Sequence, residues 1–336
     1  MGSVTDRLAS EYAAGRLTRR QALSALAGAG VSAALGGMPA FAQSQPRLLG
    51  PVRMISHVGF SVSDLKRSAE FYQNLFGFPP LVPTTPASAH TYGFYFDGHF
   101  ISLNPAPKDR AGRLSHFCIA FRDFKPERDG AKLKAAGFEG VRIDTAGADN
   151  WVTLPDPDHV SVQIFDEKYL APCPTCDPTP DAASMPPPAK AMFRARKIQH
   201  LGITVSDLRR SKIFYQKLLG LSGGLRTLAP PRIPAYGLDF NGQFLSLSVV
   251  TPQDEAKPGA SPIFNKPGNI THYCIGVDKF DAKRDGARLK AAGFQNVQVD
   301  TDLIDCIYVR DPDGVIVQIS DANYTYQCPT CGPPPV

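Results

Sequence analysis

The chain is one unit written twice, and that duplication limits its fold more than any other feature. Ile55-Ser56-His57-Val58-Gly59-Phe60-Ser61-Val62-Ser63-Asp64-Leu65 recurs as Ile198-Gln199-His200-Leu201-Gly202-Ile203-Thr204-Val205-Ser206-Asp207-Leu208. Both copies run on to Phe71-Tyr72-Gln73 or Phe214-Tyr215-Gln216. Tyr92-Gly93 then matches Tyr236-Gly237, Arg128-Asp129-Gly130-Ala131 matches Arg284-Asp285-Gly286-Ala287, and Asp156-Pro157-Asp158 matches Asp311-Pro312-Asp313. Self-similarity of this length means a duplicated domain. It places the copies at 52–176 and 196–331, joined by a Pro-rich linker over 177–195. The second copy carries a longer internal loop, around Pro252 to Gly268. A chain of 336 residues is also the right length for two domains of ~150 residues each.

Each copy splits again. A half opens on an alternating strand such as His57 to Val62, followed by a helix capped by Ser63 or Asp64. Leu65, Ala69, Phe71, Tyr72 and Leu75 form its apolar side, and Gly77 stops it. Strands follow at Tyr92–Phe96 and Phe100–Leu103. The second half repeats this order, with a strand over His116–Phe121, a helix over Arg128–Ala136, and strands at Trp151–Leu154 and Val160–Phe165 around the Asp-Pro-Asp turn. The expected fold is α+β, with four βαβββ modules in two homologous domains.

Seven histidines are present, and four of them, His57, His116, His200 and His272, fall on the first strand of the four half-units. The closing strand of each copy carries Gln163 or Gln318. Paired strands can bring two imidazoles and one amide oxygen to a point, which makes an open facial site for a divalent metal. The alternative is pocket-lining His and Gln with ordinary hydrogen bonds. His90 and His99 have no counterpart in the second copy and read as surface residues; His159 lies in a turn, with no role assigned.

With these motifs in view, the sequence resembles the vicinal oxygen chelate superfamily, which includes glyoxalase I, fosfomycin and bleomycin resistance proteins, and extradiol dioxygenases. The resemblance covers most of 52–170 and 196–325. It implies two metal sites, His57, His116 and Gln163 in one copy and His200, His272 and Gln318 in the other, holding Fe²⁺, Mn²⁺ or Zn²⁺. Both copies place Gln where that family usually has a carboxylate. A neutral ligand weakens metal affinity and leaves the ion its full charge, which favours an anionic substrate with vicinal oxygens. Tyr308-Val309-Arg310-Asp311-Pro312-Asp313-Gly314 resembles the extradiol dioxygenase motif, which implies that Tyr308 hydrogen-bonds substrate; the His expected upstream of it is missing. Tyr92 and Tyr236 recur in both copies and are expected to line the substrate pockets. Dioxygenase-like oxidation is the leading expectation. A metal-dependent lyase or isomerase of glyoxalase type and a metal-free small-molecule binder are the alternatives.

The amino-terminal residues read as an address. Arg19-Arg20 precede an uncharged small-residue run from Ala22 to Gly37, then Pro39-Ala40-Phe41-Ala42-Gln43, an A-x-A cleavage site. Residues 1–42 are therefore expected to be a twin-arginine signal peptide, with the Tat machinery as partner and a periplasmic or secreted destination. No other stretch is apolar enough to anchor the chain in a membrane after cleavage. Net charge is +5, from 36 basic and 31 acidic residues with no basic stripe, which argues against nucleic acid as a partner. Oligomeric state is not fixed by any of these features. Each copy ends in Tyr-x-x-x-Cys-Pro-Thr-Cys, with Cys173 and Cys176 in the first and Cys328 and Cys331 in the second. These pairs suit local disulfides in an oxidising compartment, a shared zinc site or a redox dithiol. Cys118 and Cys274 follow the second His of each copy by two positions and share its strand face; Cys306 is expected to be buried.

Overall fold

The computed structural model describes residues 47–79, 81–84, 91–145, 150–169, 190–221, 224–227, 234–249, 266–301 and 305–324. The expected signal segment, His90 and the four Cys-x-x-Cys cysteines lie outside them. Within 46–336, which forms one compact unit, each repeat builds one eight-stranded sheet.

The first repeat runs β1 (Val52–Val62), a helix (Leu65–Phe76), β2 (Val82–Pro83), β3 (Tyr92–Phe96) and β4 (His99–Pro105). It continues with β5 (Leu114–Phe121), a helix (Pro126–Ala135), β6 (Arg142–Asp144), β7 (Trp151–Pro155) and β8 (Ser161–Asp166). The second repeat follows the same order: β9 (Ala195–Thr204), a helix (Leu208–Leu219), β10 (Gly224–Thr227), β11 (Pro234–Phe240), β12 (Gln243–Ser248), β13 (Asn269–Val277), a helix (Ala282–Ala291), β14 (Gln298–Asp300), β15 (Cys306–Arg310) and β16 (Ile316–Asp321). This is βαβββ four times over. The modules of one repeat join edge to edge where β1 pairs antiparallel with β5, and β9 with β13. The sheet orders, β2-β3-β4-β1-β5-β8-β7-β6 and β10-β11-β12-β9-β13-β16-β15-β14, place the two histidine strands of each repeat side by side at the centre.

Local chemistry sets the helix ends. Asp64 and Asp207, rather than the serines before them, cap the first helix of each repeat by accepting from Arg67 N and Arg210 N at 3.0 Å. Gly77 and Gly220 end these helices in the left-handed conformation.

Alternation along each strand separates two faces. Val58 and Phe60 of β1, Phe117 and Ile119 of β5, and Val162 and Ile164 of β8 are fully buried in a hydrophobic core that includes Leu201, Ile203, Tyr273 and Ile275 of the second repeat. The opposite face carries the histidines. The repeats are also latched by polar contacts that exchange between them. The Asp-Pro-Asp turn of each repeat receives the first helix of the other: Tyr72 Oη donates to Asp311 at 3.1 Å, and Tyr215 Oη to Asp156 at 2.8 Å. Ser63 N and Ser206 N donate to Asp313 and Asp158 at 2.9 and 3.0 Å. The freed serine hydroxyls bond the same carboxylates, which is why the capping role falls to the next residue. The end of the expected linker is tied down as well, since Met192 N and Phe193 N donate to Asn74 O and Leu75 O.

Candidate metal centre

Strand register draws one row of side chains across the face opposite the core. In the first sheet it reads Arg142, Thr153, Gln163, Cys118, His57, Phe100, Tyr95. In the second it reads Gln298, Tyr308, Gln318, Cys274, His200, Phe244, Asp239. His116 and His272 stand one step along their strands, opposite Gly59 and Gly202. Those glycines are required. A Cβ on Gly59 would lie 2.1 Å from His116 Cε1, and one on Gly202 would lie 2.2 Å from His272 Cε1. The missing side chain lets each ring lie across the neighbouring strand and reach the first histidine.

The imidazoles meet at their Nε2 atoms. His57 Nε2 is 3.2 Å from His116 Nε2, and His200 Nε2 is 3.2 Å from His272 Nε2. Gln318 Oε1 lies 2.9 Å from His200 Nε2. In the first repeat, Gln163 Oε1 is buried without a hydrogen-bond partner. Each ring is oriented from behind through Nδ1 by the residue just before it: Ser56 at 3.2 Å, Ser115 at 3.0 Å, Gln199 at 3.1 Å and Thr271 at 2.9 Å.

Two of these bonds settle a tautomer. The Ser115 hydroxyl donates to Gly59 O and the Thr271 hydroxyl to Gly202 O, so both oxygens accept from the Nδ1–H of the following histidine. Gln199 donates through Nε2 to Tyr324 O at 2.7 Å and turns Oε1 to His200 Nδ1, while Gln318 Oε1 faces Nε2 of the same ring, so both ring nitrogens of His200 meet an acceptor. His116 and His272 therefore turn an Nε2 lone pair, not a proton, toward the first histidine of their repeat. Burial holds His116 and His272 down at about 4. Burial first, and then the His116 charge, hold His57 well below the usual imidazole range. A lone pair facing another ring's Nε2 is satisfied by a proton on that atom or by a cation between the two. Two ligands at the ~2.1 Å of a metal–imidazole bond, spread by roughly 100°, have their nitrogens about 3.2 Å apart. The donor set thus fits a divalent cation in both repeats. Among the described residues no group of three His, Cys, Asp or Glu comes together, because the third donor is a glutamine each time.

The other expected site residues divide. Tyr308 does stand beside Gln318, with its ring edge-on to His272 at 6.2 Å. Burial, followed by Cys306, pushes its phenol well above the ordinary range, so it stays protonated. Tyr92 and Tyr236 are corrections. Each is three residues from the row member on its own strand and so faces the core side. Tyr236 is buried there and accepts from Gln216 Nε2 at 2.9 Å. His99 is a third correction. It is 4% exposed, with Nδ1 2.8 Å from Ile55 O, and Gln243 of the second repeat bonds the same Ile55 backbone. Cys118 and Cys274 lie on the site face as buried thiols held protonated by desolvation, and Cys306 is buried with its thiol at about 11. Tyr95, Trp151 and Arg142 were not anticipated. Tyr95 stacks on Phe100 at 4.8 Å, and Trp151 packs with Tyr95 against Phe100, Cys118 and Phe165. The polar residue before every one of the four histidines was the sequence signal for the orienting partners.

The comparisons agree with this architecture. The family model for the Glyoxalase/Bleomycin resistance protein/Dioxygenase superfamily matches residues 54–164 and 197–319. Solved structures share the fold. A catechol 2,3-dioxygenase aligns at TM-score 0.57 and 18% identity, over 84% of this chain and 91% of that one. The 2,3-dioxygenase LapB from Pseudomonas sp. KL28 aligns at 0.59 and 16%, over 83% and 95%. Homoprotocatechuate 2,3-dioxygenase from Arthrobacter globiformis aligns at 0.57 and 15%, over 87% and 86%. No curated protein matches the chain in sequence. The two matched regions, one for each sheet, show that the chain belongs to the glyoxalase, bleomycin resistance protein and dioxygenase superfamily.

Proposed function

We propose that this is an exported, metal-dependent enzyme that acts on a small molecule with two adjacent oxygens, by dioxygenase-like oxidation. The observation that carries the reading is the convergence of three donor atoms, with His272 Nε2 at 3.2 Å and Gln318 Oε1 at 2.9 Å from His200 Nε2, and with His272 turning its lone pair inward. His57, His116 and Gln163 would hold the ion of the first repeat, and His200, His272 and Gln318 that of the second. A bound Fe²⁺ or Mn²⁺ would supply Lewis acidity toward vicinal oxygens and a redox partner for dioxygen. The protein's own residues do the rest. Ser56, Ser115, Gln199 and Thr271 keep the rings aimed. The protonated Tyr308 phenol is placed to donate to a substrate oxygen in the second repeat. Phe100, Phe165 and Trp151 give the first repeat's site an apolar floor. Gln in place of a carboxylate leaves the ion's charge to be balanced by an anionic substrate. The leading residues 1–42 would carry the folded chain across a membrane by the twin-arginine route.

The test is elemental analysis of the mature protein, followed by oxygen uptake with Fe²⁺- or Mn²⁺-loaded protein over a panel of catechols and hydroquinones. Expected are up to two ions for each chain and oxygen uptake with at least one substrate. His57→Ala and His200→Ala should each remove one ion. Ligand binding that persists without any metal would instead establish a metal-free binding protein. Turnover without oxygen consumption would establish a lyase or isomerase.

A further inference from the structure

We propose that the first repeat takes a ligand with a carboxylate as well as vicinal oxygens, and that Arg142 and His159 select it. This rests on the metal-centre reading and adds to it a class of molecule. A cavity of about 470 Å³ is lined by Arg142, Thr153, Pro155, His159 and Ser161. That is the size of a small-molecule pocket. It shares a wall with the donor set, since Thr153 pairs with Gln163 and Ser161 pairs with His116. Arg142 stands at its edge, exposed and without a salt bridge among the described residues. It lies two strand spacings, about 10 Å, from Gln163.

The second repeat shows that neither residue is needed by the fold. Register puts Gln298 where Arg142 stands and Tyr308 where Thr153 stands. His159 is the more telling position. It sits at φ 68°, in the left-handed region, where the matching turn of the second repeat has Gly314 at φ 91°. Both turns make the same bond, from His159 N to Asp156 O and from Gly314 N to Asp311 O. Glycine makes this turn without the steric cost, of order 1 kcal/mol, that a side chain adds. The imidazole is retained at a position that disfavours it, and there it lines the cavity. A guanidinium and an imidazole across a small pocket from a cation held only by neutral donors form a cradle for a carboxylate.

The experiment uses the mature chain loaded with Mn²⁺ under anaerobic conditions, with 3,4-dihydroxybenzoate and catechol as matched probes. Trp151, the only tryptophan, lies beneath the first repeat's site, so its emission reports on that repeat. Expected is binding of the carboxylated probe at least about tenfold tighter than catechol. Arg142→Gln should abolish that preference while leaving catechol affinity within about twofold and the metal content unchanged. His159→Gly should weaken the preference with no loss of thermal stability. Equal affinity of the two probes for the unaltered protein, or equal weakening of both by Arg142→Gln, overturns the assignment. A chain that holds no metal and binds neither probe overturns the centre itself, a result distinct from a loaded chain that ignores the carboxylate.

Discussion

The two repeats agree where a cation would be held and differ where a ligand would be read. His57, His116 and Gln163 match His200, His272 and Gln318 in register, and the two histidine pairs match in separation and orienting bonds. One step outward the likeness ends: Arg142 and Thr153 stand opposite Gln298 and Tyr308, and Tyr95 opposite Asp239. Beneath the centres, Trp151 and Phe165 of one sheet become Cys306 and Ser320 of the other. The lesson is about which constraints are local. A ring aimed across a neighbouring strand needs a glycine, a polar residue before it and a fixed register, so both copies keep them. Residues on the outer strands make few contacts with the core, so they are free to diverge.

The glycines test the shared part most severely. Gly59→Ala places a methyl where His116 now lies, so the ring must swing away. We expect loss of the first repeat's ion with the second retained, and a drop in stability of roughly 1–3 kcal/mol. Gly202→Ala should do the reverse, read by metal stoichiometry and thermal melts. Either variant with full metal content would break the claim that close approach aims the ring.

Acid should separate the repeats next. In metal-free protein, burial holds His99, His116 and His272 at about 4, whereas an unfolded chain takes these protons near pH 6.5. Between these values the unfolded state binds more protons, so stability falls as pH drops from about 6.5 to 4, by up to ~3 kcal/mol for each group. Asp311 works in the opposite sense. Burial lifts its carboxyl to about 6, so it stabilises the fold at low pH and that contribution is lost as pH rises through 6. His57 is depressed as well and Asp156 raised, so four imidazoles against two carboxyls leave net acid lability. His99 corresponds to Gln243 in the second repeat, so His99→Gln should reduce the pH slope, as measured by urea unfolding at several pH values. An unchanged slope would show that His99 takes its proton without unfolding.

The latch between repeats should give the smallest effect. Tyr72→Phe and Tyr215→Phe each leave a buried carboxyl one donor short, at a cost of roughly 1–3 kcal/mol. Melts unmoved in both variants would show that the apolar core alone holds the repeats together.

Much of this was legible in the residues, and the failures have one cause. The half-units, the histidine strands and the closing glutamines follow from alternation, which is local. Tyr92 and Tyr236 were placed in the pockets because they recur, but recurrence serves packing as well as chemistry. Their faces depend on counting from Tyr95 and Asp239, which only pairing with Phe100 and Phe244 picks out. His99 looked like a surface residue because nothing near it in sequence covers it; the second repeat does, through Gln243 and Asn241 at the neighbouring backbone. The Asp-Pro-Asp motif reads as a turn, a repeat marker and part of a family motif, but nothing in its local sequence shows that its carboxylates bind the other repeat's helix.

What the sequence determined alone is the repeating module, the four histidines in phase and the glutamine on each closing strand, because strand periodicity and duplication are written residue by residue. The tertiary structure decided which rings touch, which tautomer the second ring of each pair holds, and that a cavity lies beside Arg142 in the first repeat. Those outcomes depend on register between strands far apart in the chain, where a slip of one residue turns a side chain from the site to the core.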